Sequence, residues 1–139
     1  MERLKETRLF KLEEAEYHLA GGVALDTLEL ARHIVETIAD KKGENVLLLD
    51  IQNISILADY FVIGSTTSER QAKAIVAEIK QEMKQTFDVR PLHIEGEPDS
   101  GWVLMDYGDV VVHLLTQEMR DYYDLEDLWQ DGRTVVRML

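Results

Sequence analysis

The sequence predicts an α/β domain, a mixed five-stranded sheet flanked by helices, and three segments carry that reading. VLLLDI at 46–51 is an unbroken apolar run, the pattern of a strand covered on both faces. DYFVIGST at 59–66 runs directly into SERQAKAI, a strand followed at once by a capped helix, as at the start of a parallel crossover. WVLMDYGDVVVHLL at 102–115 reads as two strands joined by a tight turn at Gly108, where two central residues with positive φ would let the chain fold back.

The other elements follow in order. Leu4, Leu12, Ala15 and Leu19 recur at helical spacing, and Gly21 and Gly22 then break the pattern, so residues 1–24 read as a helical extension on a hinge and residues 25–139 as the domain. Asp26 caps the next helix with Glu29 completing the box, Leu28, Ala31, Ile34, Val35 and Ile38 form its apolar stripe, and Gly43 stops it. Ser68 with Gln71 caps a helix that carries Ala72, Ile75, Val76, Ile79 and Met83 on one face. PLHI, beginning at Pro91, is a short third strand, EGEPDSG a loop, and the hairpin supplies strands four and five. Thr116 and Asp124 cap two short helical turns, with Leu125, Leu128 and Trp129 as packing residues. The final DGRTVVRML carries too little pattern for an assignment. The order is therefore α-β-β-α-β-β-β-α.

Composition bounds the function. The chain of 139 residues is 45% hydrophobic and 30% charged, enough for one domain with a real core. It has no cysteine, which removes disulfides, thiol catalysis and thiolate metal sites and fits a reducing cytoplasm. With 27 acids against 15 Lys and Arg, the net charge of −12 disfavours direct nucleic-acid contact and favours a basic protein partner. MERLKETRLFKLEEAE is too charged for a signal-peptide core, and no segment approaches the ~20 apolar residues of a membrane span, so a soluble cytoplasmic protein without membrane contact is expected.

Three patterns suggest catalysis, and each has a plainer structural reading. GSTTS between strand and helix resembles an anion site, but no Lys follows the glycine and Ser68 with Gln71 already serves as a cap. Asp106 and Asp109 are three apart across a turn, where a magnesium-binding pair on a strand would be two apart. His18, His33, His93 and His113 are scattered, and a strand histidine in apolar company is usually a hydrogen-bonded core residue. No metal site, cofactor or catalytic residue is expected.

The hairpin is the better guide. Alternation places Val103 and Met105 on one face and Trp102, Leu104 and Asp106 on the other, so a large aromatic stands beside turn acids. That arrangement suggests an amphipathic contact surface offered to a partner, against the alternative of a satellite core in which the last helix covers the hairpin and buries Tyr122 or Tyr123.

ADYFVIGSTTSERQAKAI, HIEG, WVLMDYGDVVVHLL and RDYYDLEDLW together resemble the ribosomal silencing factor family, also called Iojap, over roughly residues 26–130. The resemblance implies a reduced nucleotidyltransferase-like fold without its catalytic carboxylates. It also implies a non-enzymatic translation repressor that binds a basic large-subunit ribosomal protein, of the L-fourteen type, at the intersubunit face and hinders joining of the small subunit. Carried onto matching positions, Trp102, Asp106 and Tyr107 form the contact surface, with Tyr123 beside them. The rival reading is a nucleotide-binding or nucleotidyltransferase-like enzyme, resting on GSTTS and the fold likeness. A homodimer of the free protein through the exposed hairpin face stays open.

Overall fold

The computed structural model describes residues 26–139, so the expectations for the N-terminal extension and its hinge lie outside the described residues. Helix α1, Thr27–Asp40, starts where Asp26 Oδ1 accepts the Leu28 and Glu29 amides at 3.1 and 3.2 Å. Leu30, Ala31, Ile34, Val35 and Ile38 are its buried stripe. At its end the left-handed residue is Lys42, φ 69°, and Gly43 serves a different need. A Cβ on Gly43 would fall 2.3 Å from Ile38 Cγ2, so the glycine permits close approach of the chain to the helix.

Strands β1, Glu44–Asp50, and β2, Tyr60–Thr66, pair antiparallel with Leu48 opposite Val62. All of β2 is buried, as its central position demands. Helix α2, Glu69–Phe87, is capped by Ser68 Oγ, which accepts the Gln71 amide at 3.1 Å. The Gln71 side chain donates to the carbonyls of Lys41 and Lys42 at 3.2 and 2.8 Å, satisfying groups that the end of α1 leaves open. Asp88, φ 54°, closes α2 in the left-handed conformation. Strand β3, His93–Glu95, and a 3₁₀ turn at Pro98–Ser100 lead to β4, Trp102–Asp106, and β5, Val110–Thr116. Strand β5 lies parallel to β2, so the crossover and hairpin fall where the sequence placed them.

Helices α3, Gln117–Tyr123, and α4, Leu125–Leu128, follow, and β6, Arg133–Met138, ends the fold. The sheet is therefore six-stranded, in the order β3-β4-β5-β2-β1-β6, where five strands were expected. The missing strand is the DGRTVVRML segment. It pairs antiparallel with β1 at the sheet's edge, and only Val135 and Val136 pack, half-buried, against the core. Two smaller expectations change as well. Asp124 takes φ 47° and makes no side-chain cap bond, whereas Thr116 does cap α3, and Leu128 is exposed.

Strand alternation divides the interior in two. On one face α1 and α2 cover Val46, Leu48, Val62, Val103, Met105 and Val112. On the other, Leu47, Leu49, Phe61, Ile63, Val111 and Leu115 meet Ile51 and Ala58 from the connection between β1 and β2, Leu125, and a few half-buried side chains. Helices of seven and four residues are too short to roof that second face, and an opening remains beside Trp102. Among the described residues no helix is long and apolar enough to cross a membrane.

Candidate functional site

The opening is a cleft of about 340 Å³ with Phe61, Trp102, Leu104, His113, Leu125 and Trp129 among its walls. Register builds it: Trp102 pairs with Leu115 and Leu104 with His113, which brings the large side chains of β4 and β5 to the lightly roofed face. Gly101, φ 86°, turns the chain into β4, and its carbonyl accepts the Thr116 amide at 2.9 Å. The rings form a continuous row. Tyr122 meets Tyr123 edge-on at 4.9 Å, Tyr123 lies 4.6 Å from Trp102, and Phe61 stands 5.0 Å from His113 and 5.1 Å from Trp129.

His113 sits inside this row. Trp102 Nε1 donates to His113 Nδ1 at 3.3 Å, which assigns the ring proton to Nε2. Burial alone pushes the imidazole pKa down to about 4, so the ring is neutral near pH 7. Protonation is thus disfavoured in the folded state and free in the unfolded state. Stability contributed by the neutral ring is complete above ~6.5, the unfolded value, and declines as pH falls toward 4. His113→Gln should flatten that part of the pH profile relative to wild type, read by thermal melts between pH 7 and pH 5. Parallel profiles would contradict the assignment.

Of the four expected contact residues, the structure brings Trp102 and Tyr123 together and places the other two elsewhere. Asp106 is 1% exposed and its Oδ1 accepts the Gly108 amide at 2.6 Å, so the carboxylate builds the turn. Tyr107 is 3% exposed and belongs to the opposite core, where burial pushes its phenol pKa up. The expected exposure of Asp106 and Tyr107 is corrected accordingly. In the turn itself only Gly108 has positive φ, 89°, where two such residues were expected. Tyr122 and Tyr123 are both exposed, at 78% and 46%, where the satellite-core alternative would bury one of them. The inward-facing residue of α3 is Arg120 instead, a residue the sequence reading passed over.

Arg120 Nη1 donates to the Asn45 carbonyl at 2.6 Å and to Ser65 Oγ at 2.9 Å, while Nε meets Glu126 Oε1 at 2.5 Å. It ties α3, and with it Tyr123, to the ends of β1 and β2. In GSTTS the chain uses its own groups: Ser65 receives Arg120, the Thr67 amide donates to Gln71 Oε1 at 2.7 Å, and the Gln71 amide donates to Ser68. A structural join between strand and helix accounts for the motif.

A sequence model described as "Ribosomal silencing factor during starvation" matches residues 24–138. The chain belongs to this ribosomal silencing factor family. It is 42% identical over 107 residues to a protein named ribosomal silencing factor RsfS from Halalkalibacterium halodurans, covering 77% of this chain and 91% of that one. The corresponding Bacillus subtilis protein is 44% identical, covering 67% of this chain and 78% of the relative. A mouse relative, 31% identical over 69% of this chain and 43% of its own length, is named mitochondrial assembly of ribosomal large subunit protein 1. Among solved structures, a Chromobacterium violaceum protein superposes with a TM-score of 0.72 at 31% identity, covering 83% of this chain and 94% of that one. The fold built here is thus shared within the family.

Proposed function

We propose that this ribosomal silencing factor family member represses translation without catalysis, by docking on the large ribosomal subunit through its second sheet face and standing in the way of the small subunit. The observation that carries the reading is the aromatic cleft walled by Trp102, on whose ring Tyr123 packs, a large apolar anchor left open on an acidic protein. Exposed Glu97 and Asp99 precede Ser100 in its lining, and exposed Asp121 and Asp124 flank in sequence the two tyrosines packed beside Trp102. Such a surface suits a basic ribosomal protein, with acids steering the encounter and aromatics supplying the buried contact. Asp106 and Tyr107 then act as positioning residues, holding the turn and register that present Trp102.

The test is order of addition. A folded domain docked through ~800 Å² per partner stands well above the surface that carries it, and two subunits cannot close over it. Protein added to free large subunits before small ones should lower the yield of joined ribosomes, and added afterwards should change little. Because the two events exclude each other, excess small subunits should weaken its apparent affinity in return. Protein found stably on joined ribosomes by sedimentation, with association unimpaired, would refute occlusion.

A further inference from the structure

We propose that a basic groove on the outer flank of α2 binds the phosphate backbone of ribosomal RNA beside the docking site; this rests on the docking proposed above. The groove opens between α2 and the chain entering β3, with a volume of about 700 Å³, and Lys80, Lys84 and Arg90 line it together with Ala77, Gln81 and Pro91. The three cations are exposed, and among the described residues no carboxylate pairs with them.

Helical geometry produces this patch in an acidic chain. Lys80 and Lys84 are four apart and share one flank of α2. Glu78 and Glu82, also four apart, turn toward α1, where Glu78 meets Lys41 at 3.9 Å and Glu82 meets His33 at 2.9 Å. The helix thus sorts its charges, with the acids engaged by α1 on one side and the bases turned to the β3 side. Asp88, the acid between Lys84 and Arg90 in sequence, is exposed at the helix cap and does not line the groove.

Position gives the groove its occupant. Arg90 and Pro91 lead into β3, while Glu95, at the end of β3, and Gly96 line the aromatic cleft. Groove and cleft therefore flank the same edge of the sheet from opposite faces. A ribosomal protein seated at the cleft is embedded in RNA, and the nearest polyanion meets the three unpaired cations. Ala77 and the glutamines leave the floor shallow and uncharged, as suits a sugar–phosphate backbone read without base specificity.

The test uses the full chain and the triple variant Lys80→Gln, Lys84→Gln, Arg90→Gln, with two probes: purified large subunits and the isolated basic ribosomal protein. Circular dichroism should show unchanged folding, since all three side chains are exposed. On large subunits the variant should bind at least ~10-fold more weakly at about 0.1 M salt, with the slope of log affinity against log salt shallower by about 2, as for the loss of some three phosphate contacts. On the isolated protein its affinity should be unchanged. Equal affinity and slope for variant and wild type on large subunits would overturn the groove alone, and equal weakening on both probes would reassign it to protein contact. Wild type that binds neither probe would instead overturn the docking reading.

Discussion

Replacing Trp102 with alanine should weaken binding to large subunits by ~2 kcal/mol or more, about 30-fold, while the domain stays folded. The indole is only half-buried, it contacts the Tyr123 ring at 4.6 Å, and it forms one wall of the cleft. Truncation removes the anchor a partner would enclose. The cost to folding should be smaller, because the full ~3–5 kcal/mol of a large-to-small change applies to an aromatic closed off on every side. Trp102→Phe separates two contributions. It keeps most of the apolar area and loses the Nε1–H bond to His113, so binding should fall only a few-fold. Co-sedimentation gives the affinities and circular dichroism the folding. An alanine variant that unfolds under conditions where wild type is stable would make Trp102 a core residue and remove the case for an anchor.

What the sequence disclosed follows the range of the forces involved. The caps at Asp26, Ser68 and Thr116 were legible because each joins a side chain to an amide two or three residues away. The apolar run of β1 and the alternation of β4 were legible because burial on a sheet has period two or none. Strand β6 was not, since its pairing is a backbone ladder to a strand more than eighty residues earlier, and edge side chains carry little pattern. Asp106 looked like a surface acid beside a turn, yet it lies in the interior with its Oδ1 accepting the turn amide of Gly108. Net charge misled in a similar way: an average of −12 gives no hint that α2 sorts its bases onto one flank. The pairing of Trp102 with Tyr123 was reached through family resemblance, while the membership of His113 and Trp129 in the cleft required the register of the sheet.

Arg120→Ala should destabilise the domain by ~3 kcal/mol or more, among the larger effects open to a single substitution outside the main cores. The guanidinium is 6% exposed and holds three separate pieces of chain: the Asn45 carbonyl in the irregular start of β1, Ser65 at the end of β2, and Glu126 in α4. Removing it takes this donor from the half-buried Asn45 carbonyl, the buried Ser65 hydroxyl and a carboxylate at once. Glu126 is a third exposed and can recover water, which keeps the expected loss near the lower end of the ~3–5 kcal/mol for breaking a buried ion pair. Arg120→Lys should restore little, because a single ammonium on a flexible stem cannot reproduce a planar fork serving acceptors on both sides. Glu126→Gln should cost less than either, since its amide oxygen still accepts from Nε. In urea titrations the Arg120→Ala midpoint should fall with the slope unchanged, the mark of lost stability without a change in compactness. The effect should also reach the cleft. With α3 released from β1 and β2, Tyr123 loses its place beside Trp102, so binding to large subunits should weaken even well below the melting transition. A midpoint within ~1 kcal/mol of wild type would show that the short helices are held by Leu125 and Trp129 alone.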